Sequence, residues 1–298
     1  MSPRVSVVIR TYRLADYIAE AIDSVFGQTA DDLEVIVVEG AAEATVQAVL
    51  DRYLGRIRRI GLSGSTLGAA LNAGISAARG EFVAFLDSDD VWLPHKLSRQ
   101  LAWLDGNDRF GFAYGNVRLL SLGGILSPPV LAPEQIVRGS VLRTIVRGMC
   151  IHPSTLVVRR VWFERVGLFD GTRTVCEDYP FLLTLASHTE AVCDPEPICL
   201  IRSHPGQANK RDAPYVYEST IATLEALLRR PGLSLGVRLE AHRSIARYHT
   251  YLARRHVEGG RSDEARRHAL LALRCYPLFL PAWRWTLRSF GPSQEDRA

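Results

Sequence analysis

The chain has 298 residues, a hydrophobic content of 47% and 23% charged residues, which suit a globular protein with ample core in one or two domains. No apolar run approaches the roughly 20 residues that span a bilayer, and the first residues lead directly into a predicted strand, so we expect neither a membrane span nor a signal peptide. The five cysteines are scattered without Cys-x-x-Cys spacing, so we expect reduced thiols in a cytoplasmic protein.

The net charge of +4 is unevenly distributed. Residues 214–298 contain 14 Arg and 8 acidic residues and so carry +6, which leaves −2 for residues 1–213. A basic tail favours an anionic membrane or polymer as partner, although a solvated basic helical face explains the same charge. We expect no nucleic-acid partner.

The first part of the chain alternates strands with helices. Strands are predicted at residues 4–11, 33–38, 56–62 and 81–86, and a segment with helical spacing of apolar residues follows each one. Four such alternations predict an α/β fold with a mostly parallel sheet covered by helices on both faces.

Further along, strands are predicted at residues 110–119 and 152–160, a helix after Glu177-Asp178, and a short edge strand at residues 198–201. From residue 215 onward the pattern is helical, with Gly259-Gly260 as the turn of one helical hairpin. The sequence therefore predicts an α/β domain at residues 1–213 and a basic α-helical module at residues 214–298.

Three acids follow the central buried strand: Asp87, Asp89 and Asp90. The carboxyl ends of parallel strands border the ligand crevice of such sheets, and clustered carboxylates favour hard cations such as Mg²⁺ or Mn²⁺, which in turn hold phosphates. An acidic loop that caps the next helix is the simpler alternative. A glycine-rich dinucleotide fingerprint and a P-loop are both absent after the first strand.

A second acidic pair, Glu177-Asp178, precedes a predicted helix. The helix dipole explains one acid at that position easily and two less well, so one of them is a candidate general base. His204 stands before a proline, where a loop residue is the ordinary interpretation and a phosphate or metal contact the functional one.

Several motifs, in this order, resemble those of family 2 glycosyltransferases. Residues 6–12, 21–29 and 33–38 resemble the opening of that family, and residues 77–92 resemble its metal-binding segment. Residues 166–170 and 177–179 are similar to its acceptor-side pattern, so that the likeness covers residues 4–206.

The resemblance implies a GT-A fold, with a nucleotide-sugar half at residues 1–118 and an acceptor half at residues 119–213. It also implies a nucleotide-sugar donor, a divalent Mn²⁺ or Mg²⁺ ion, a glycan or lipid-linked acceptor, and inversion at the anomeric carbon. A UDP-sugar is the favoured donor, and dTDP- and GDP-sugars stay open.

The matching positions imply a role for each candidate residue. Thr11, Tyr12 and Arg13 would line the nucleoside pocket, and Glu39 would contact the base. Asp89 and Asp90 would hold the ribose and the metal, with Asp87 in support. Asp178 would be the catalytic base with Glu177 beside it, and Arg202 and His204 would lie near the diphosphate.

Departures from the family pattern are visible in the donor half. Arg10 and Arg13 stand where the family usually has Pro and Asn, and Leu71 stands where a basic residue is common. The second strand ends in Glu39-Gly40-Ala41-Ala42 in place of Asp-Asp-Gly-Ser. These changes leave the base contact, and with it the donor's nucleobase, open.

Three activities fit these residues. The first is a metal-dependent inverting glycosyltransferase of surface polysaccharide or glycolipid synthesis. The second is a catalytically silent relative that binds a sugar nucleotide or glycan as an assembly factor, as the altered 39–42 segment and the helical module suggest. The third is a metal-dependent nucleotidyltransferase, which the Glu177-Asp178 pair disfavours.

The basic C-terminal helices also carry aromatic residues: Trp283, Trp285 and Phe290. This combination predicts peripheral docking at the inner face of a membrane. Packing of the same rings inside the module or in a dimer contact fits equally well.

Overall fold

The computed structural model describes residues 2–11, 15–40, 43–148, 151–173, 176–204 and 213–289. The chain divides into two compact units, one of Met1–Val141 with Cys150–Gln207 and the other of Leu142–Met149 with Ala208–Ala298. A short segment from the middle of the chain therefore belongs with the C-terminal helices.

The first unit begins with the predicted alternation of strands and helices. β1 (Val5–Thr11), β2 (Leu33–Glu39), β3 (Ile57–Gly61) and β4 (Phe82–Asp87) form parallel pairs in the order β3-β2-β1-β4, and the helices between them are α1 (Ala15–Phe26), α2 (Ala44–Leu50) and α3 (Leu67–Ala77). Val and Ile dominate β1 and β2, whose central residues are fully buried, as expected for strands covered on both faces.

The rest of the chain continues with β5 (Val91–Trp92), α4 (Lys96–Asp105), β6 (Phe110–Ser121), β7 (Arg138–Gly139), α5 (Leu142–Arg147), β8 (Val157–Arg159), α6 (Val161–Val166), α7 (Asp178–Ala186) and β9 (Glu190–Ser203). Among the described residues the sheet has nine strands, in the order β3-β2-β1-β4-β8-β6-β9-β5, with β7 also paired to β9. The α/β fold class is confirmed, and the antiparallel pairs of β8, β5 and β7 make the whole sheet mixed.

The predicted edge strand at residues 198–201 is wrong in its position. These residues belong to β9, which pairs with β6 on one side and with β7 and β5 on the other. Periodicity alone does not show which strands flank a short apolar run, because an edge strand and an inner strand bury similar side chains.

Strand direction determines where the site lies. β4 and β6 both run antiparallel to β8, and β9 runs parallel to β6. Consequently the carboxyl ends of β1, β4, β6 and β9 lie at one edge of the sheet. That edge carries Thr11, Asp87, Ser121 and Ser203, the last residues of these four strands.

The core of this unit fills both faces of the sheet. Val7, Ile9 and Leu86 belong to one cluster of fully buried apolar residues, and Val8 faces α3. A Cβ built at Gly74 of α3 would lie 2.3 Å from Val8 Cγ1, so that glycine permits the close approach of α3 to β1.

The second unit is helical. It contains α8 (Ala213–Leu228), α9 (Leu235–Glu258), α10 (Ser262–Cys275) and α11 (Leu280–Ser289). Ser234 caps α9 by accepting a hydrogen bond from Val237 N, and Gly260 takes a positive φ of 72° in the predicted turn before α10.

Helix α5 packs against α9 within this second unit. The Ser244 hydroxyl donates to the Val146 carbonyl at 2.7 Å, and Arg147 pairs with the buried Glu240 at 3.3 Å. Among the described helices, none is both long enough and apolar enough to cross a membrane.

Candidate active site

The three predicted acids lie together at the carboxyl end of β4. Asp87 ends the strand, and a tight turn in which Asp90 N donates to Asp87 O at 3.1 Å brings the other two back toward it. One carboxylate oxygen from each of Asp87, Asp89 and Asp90 lies within 4.8 Å of the other two. Asp90 is buried, while Asp87 and Asp89 keep part of their surface open.

Ser154 fixes two of these acids at once. Its hydroxyl donates to Asp90 Oδ2 at 2.5 Å and accepts a hydrogen bond from Asp87 N at 3.1 Å. It lies in a 3₁₀ turn, Pro153–Thr155, where the sequence predicted a continuous strand. Burial, and then the charges of Asp89 and Asp87, raise the pKa of Asp90 well above its ordinary value.

The strand β9 supplies the other partners of the cluster. Arg202 N donates to Asp90 Oδ1 at 3.0 Å, and Arg202 Nε donates to the backbone oxygen of Asp89 at 3.0 Å. His204 Nε2 lies 2.9 Å from Asp89 Oδ2, and the Tyr17 ring lies against both Arg202 and His204. Burial and then the Asp87 charge raise the pKa of Asp89.

Arg10 joins the two acidic groups of the site. Its position in β1 is directly opposite Asp87 in β4, and its guanidinium forms ion pairs with Asp87, at 2.5 Å from Nε to Oδ1, and with Glu177. Burial works against the charged guanidinium, but these two carboxylates outweigh it and raise the pKa of Arg10. A half-buried cation therefore joins the acid cluster and the Glu177-Asp178 pair in one site.

The two acids of that pair have different environments at the start of α7. Glu177 is the N-cap residue, is buried, and pairs with Arg10. Asp178 is the first residue of the helix and keeps some solvent-accessible surface. Desolvation of its carboxyl and then the Glu177 charge raise the pKa of Asp178 to about 7.

The predicted nucleoside side of the site lies at the ends of β1 and β2. Thr11 and Glu39 are register partners and both are buried. Among the described residues, nothing forms a hydrogen bond with the buried Thr11 Oγ1. The Glu39 carboxylate accepts from Arg59 Nε at 2.9 Å and from Gln47. Tyr12 and Arg13 lie outside the described residues.

Sequence reasoning missed two residues of this site. Ser154 gave no signal because it lies in a segment predicted as an ordinary strand and meets Asp90 only through the fold. Arg10 was visible as a departure from the family pattern but received no role. A charged residue near the end of an otherwise apolar buried strand is itself a signal, since such a charge needs a buried partner.

The acid cluster has the chemistry of a divalent-cation site. It offers oxygen ligands, which Mg²⁺ and Mn²⁺ prefer, and burial together with the neighbouring aspartate charges raises the pKa values of Asp89 and Asp90. Asp89 and Asp90 would be the metal ligands. Asp87 belongs to the cluster but also forms an ion pair with Arg10. The donor set therefore fits the ion that the sequence predicts.

Comparison with known proteins identifies this part of the chain. Residues 6–122 match the family model described as Glycosyl transferase family 2. This segment of the chain is therefore similar to glycosyl transferase family 2. The predicted resemblance is thereby confirmed, and the matched segment contains the acid cluster, Thr11, Glu39 and Arg10, but not Glu177-Asp178 or His204.

The alignments with curated relatives cover only part of each protein. An uncharacterized glycosyltransferase of Nostoc sp. is 32% identical over 181 residues, which are 57% of this chain and 55% of the relative. An uncharacterized glycosyltransferase of Rickettsia felis is 28% identical over 218 residues, 70% of this chain and 36% of the relative. The chain thus spans between about a third and about half of the length of these two relatives.

Solved structures show the fold over nearly the whole chain. TarS residues 1–349 of S. aureus, in complex with UDP-GlcNAc, match with a TM-score of 0.69 and 16% identity over 96% of this chain and 89% of that one. The mannosyltransferase PcManGT of Pyrobaculum calidifontis, in complex with GDP-Man and Mn²⁺, matches with a TM-score of 0.61 and 20% identity over 97% and 84%. These likenesses confirm the predicted GT-A fold.

Proposed function

We propose that the chain is a metal-dependent inverting glycosyltransferase that moves a sugar from a nucleotide-sugar donor to a glycan or glycolipid acceptor in surface polysaccharide synthesis. One observation carries the proposal: Arg10 brings the acid cluster at β4 and the acid pair at α7 into a single site. A transferase of this kind needs both, because the leaving diphosphate and the attacking hydroxyl are at opposite faces of the transferred sugar.

The donor side would use the end of β4. Asp89 and Asp90 would hold Mn²⁺ or Mg²⁺, which supplies neutralisation of charge on the leaving diphosphate. His204 and Arg202 would lie near that diphosphate, and both already contact Asp89. Thr11, whose buried hydroxyl lacks a partner among the described residues, would donate to the nucleoside.

The nucleobase of the donor stays open between UDP-, dTDP- and GDP-sugars. The related folds include one complex with UDP-GlcNAc and one with GDP-Man. We favour a UDP-sugar and assign the base contact to Glu39. Arg59 and Gln47 already donate hydrogen bonds to the Glu39 carboxylate. A nucleobase would therefore have to compete with them for Glu39 or contact their remaining donor groups.

The acceptor side would use Asp178 as the general base. Glu177 is neutralised by Arg10, whereas Asp178 has a pKa raised to about 7 and some access to solvent. Near neutral pH about half of the molecules then have this carboxyl deprotonated, and in that form it can accept the proton of an acceptor hydroxyl. One base suffices, because inversion proceeds by a single displacement.

The test is transfer or donor hydrolysis by the full chain with Mn²⁺. We expect EDTA to abolish turnover, and Asp178→Asn to lower it by about 10²–10⁴ while donor binding is retained. Glu164→Gln, an exposed acid of the same unit, serves as the control and should leave turnover unchanged. Normal turnover of Asp178→Asn would refute the assignment of the base.

For the wild type, the rate should rise with pH through about 7 and then level off, because only the deprotonated carboxylate accepts the proton. A flat profile between pH 6 and pH 8 would contradict the assignment.

A catalytically silent sugar-nucleotide or glycan-binding role is the second candidate. The Glu39 carboxylate, next to the position that reads the nucleobase in the family pattern, is already bonded to Arg59 and Gln47, and this favours the second candidate. Calorimetry with UDP-, dTDP- and GDP-sugars distinguishes the two, since binding without turnover across a broad acceptor panel supports the silent relative.

We also propose a cytoplasmic location, with peripheral membrane contact through the basic helical module. Leu278 and Leu280 are 80% and 78% exposed, and Trp283 is half exposed. Phe290 lies outside the described residues. Because α5 packs against α9, deletion of residues 214–298 would leave α5 without its partners, so flotation of full-length Leu278→Ser/Leu280→Ser with vesicles is the better test.

A further inference from the structure

A β-hairpin at residues 119–130 extends the carboxyl end of β6. Its strands are joined by the Leu120–Leu126 bridge, and its turn is closed by Ser121 N donating to Ile125 O at 3.0 Å, with Gly124 at a positive φ of 77°. Asn116 anchors its base, because Asn116 Oδ1 accepts from Leu131 N at 2.8 Å. We refer to residues 119–130 as the apolar hairpin.

The apolar hairpin exposes aliphatic side chains. The exposed fractions are 62% for Leu122 and 74% for Ile125 at the turn, and 40–43% for Leu119, Leu126 and Val130. Together they present roughly 500 Å² of apolar surface, within the range of the largest patches on monomeric proteins, which are often functional. Isolated exposed aliphatic residues need no explanation, but five on one short hairpin do.

The sequence of this region contains no charge. From Leu119 to Pro133 there are 15 consecutive uncharged residues, bounded by Arg118 and Glu134. In a chain with 23% charged residues, a solvated loop of that length would ordinarily carry several. An uncharged tip can enter the boundary between lipid head groups and acyl chains without desolvating an ion.

Several backbone N–H groups of the hairpin donate hydrogen bonds to other groups of the hairpin itself. The Ser127 hydroxyl accepts from Leu119 N at 2.9 Å, and the Ser121 hydroxyl accepts from Ile125 N at 3.0 Å. Ser127 N donates to Leu119 O at 2.9 Å, and Pro128 and Pro129 carry no N–H at all. Polar side chains that satisfy the hairpin's own backbone suit a loop that leaves water, where each unpaired N–H would be costly.

The apolar hairpin lies at the same edge of the sheet as the acid cluster. Ser121 is the register partner of Ser203, the residue before His204, so the hairpin extends from the sheet edge that carries the acid cluster. A surface that held the hairpin would lie on the side of the unit where the site opens.

We infer that the apolar hairpin docks the first unit onto a lipid bilayer, with Leu122 and Ile125 entering the interfacial region. Two points favour a bilayer over a second copy of the chain: the patch is smaller than the ~800 Å² per partner of a standard protein interface, and a bilayer requires no complementary shape. This contact is separate from the basic helices of the second unit and does not depend on the transfer reaction.

The test is flotation of the full chain with vesicles of phosphatidylcholine and a minority of phosphatidylglycerol, without donor or acceptor. Leu122→Ser/Ile125→Ser should lower the partition coefficient at least about tenfold, since both changes remove apolar area at the contact. Leu54→Ser is the matched control: Leu54 is 69% exposed and lies just before β3, at the opposite end of the sheet.

Two further measurements separate docking from other effects. Ile125→Trp should strengthen partition, because an indole favours the interface, and damage to the fold would not produce a gain. In about 1 M salt, where charges are screened within ~3 Å, the difference between wild type and the double variant should persist, whereas a contact made by Arg-rich helices would be lost.

Equal flotation of wild type and Leu122→Ser/Ile125→Ser, or an equal loss in Leu54→Ser, would overturn the inference. So would a concentration-dependent dimer that the double variant abolishes in the absence of vesicles, because the hairpin would then contact a second copy. Retained turnover of soluble acceptors by the double variant would leave the proposed function intact, so the two proposals fail independently.

Discussion

Ser154 offers a sharp test of how the acid cluster is organised. Its side chain is fully buried, and its hydroxyl makes one hydrogen bond to the Asp90 carboxylate and one from Asp87 N. Ser154→Ala removes both, and leaves a buried carboxylate oxygen and a buried N–H each without that partner. At about 1–3 kcal/mol for each of these two unsatisfied groups, we expect the free energy of unfolding to fall by about 2–6 kcal/mol.

The same change should weaken the binding of the proposed metal ion. Asp90 loses the donor that holds its carboxylate in place, and loss of such a supporting hydrogen bond typically costs 10–100-fold in metal affinity. The assay is calorimetric titration of metal-stripped protein with Mn²⁺, combined with thermal unfolding followed by circular dichroism.

Ser6→Ala is the matched control for this experiment. Ser6 is also fully buried, and its hydroxyl donates to Glu34 at 2.7 Å and accepts from Arg79 N and Gly80 N. It lies near the start of β1, at the other end of the sheet from the acid cluster. We expect a similar loss of stability with unchanged affinity for Mn²⁺. If both variants bind Mn²⁺ as the wild type does, Ser154 does not position the metal ligands and the reasoning is refuted.

Three other predictions concern ionisable side chains that are buried or half-buried. The positive charge of Arg10 lowers the pKa of Asp178, and Arg10→Met removes that charge. The midpoint of the pH–rate profile should therefore move up by about one unit. A midpoint that stays or falls would argue against Arg10 as the cation that adjusts the pKa of the base. Burial, together with the His268 and Arg267 charges, lowers the pKa of His249 from 6.5 to about 4, so its neutral form is favoured in the folded chain. The free energy of unfolding of the second unit should therefore be highest above pH 6.5 and fall by about 2 kcal/mol, after allowance for solvent screening, as the pH falls toward 4. In urea unfolding, His249→Gln should show less of this loss. An identical pH dependence of wild type and variant would contradict the prediction. Lys96 is fully buried, and its Nζ lies 3.9 Å from the centroid of the Trp92 ring without a hydrogen-bond partner among the described residues. Lys96→Met should therefore raise the free energy of unfolding, measured by chemical denaturation, by about 1–3 kcal/mol. A clear loss of stability would show that the ammonium group contributes to the fold.

The sequence by itself determined those features that depend on neighbours along the chain. Periodic apolar residues determined the alternation of β1 to β4 with α1 to α4, and the adjacency of Asp87, Asp89 and Asp90 guaranteed a cluster wherever their strand ended. Glu177-Asp178 could be placed at a helix N-terminus because helix starts have local signals. The resemblance to family 2 supplied the expected roles of these residues.

Tertiary structure alone decided which distant residues complete the site. Arg10 reaches Glu177 across 167 positions and Ser154 reaches Asp90 across 64, and both contacts depend on strand register and on the packing of α7. The inner position of β9 and the place of α5 in the second unit were decided in the same way. Periodicity shows which face of an element is buried, but the partner of that face is selected by the free energy of the whole packed chain, which no local pattern records.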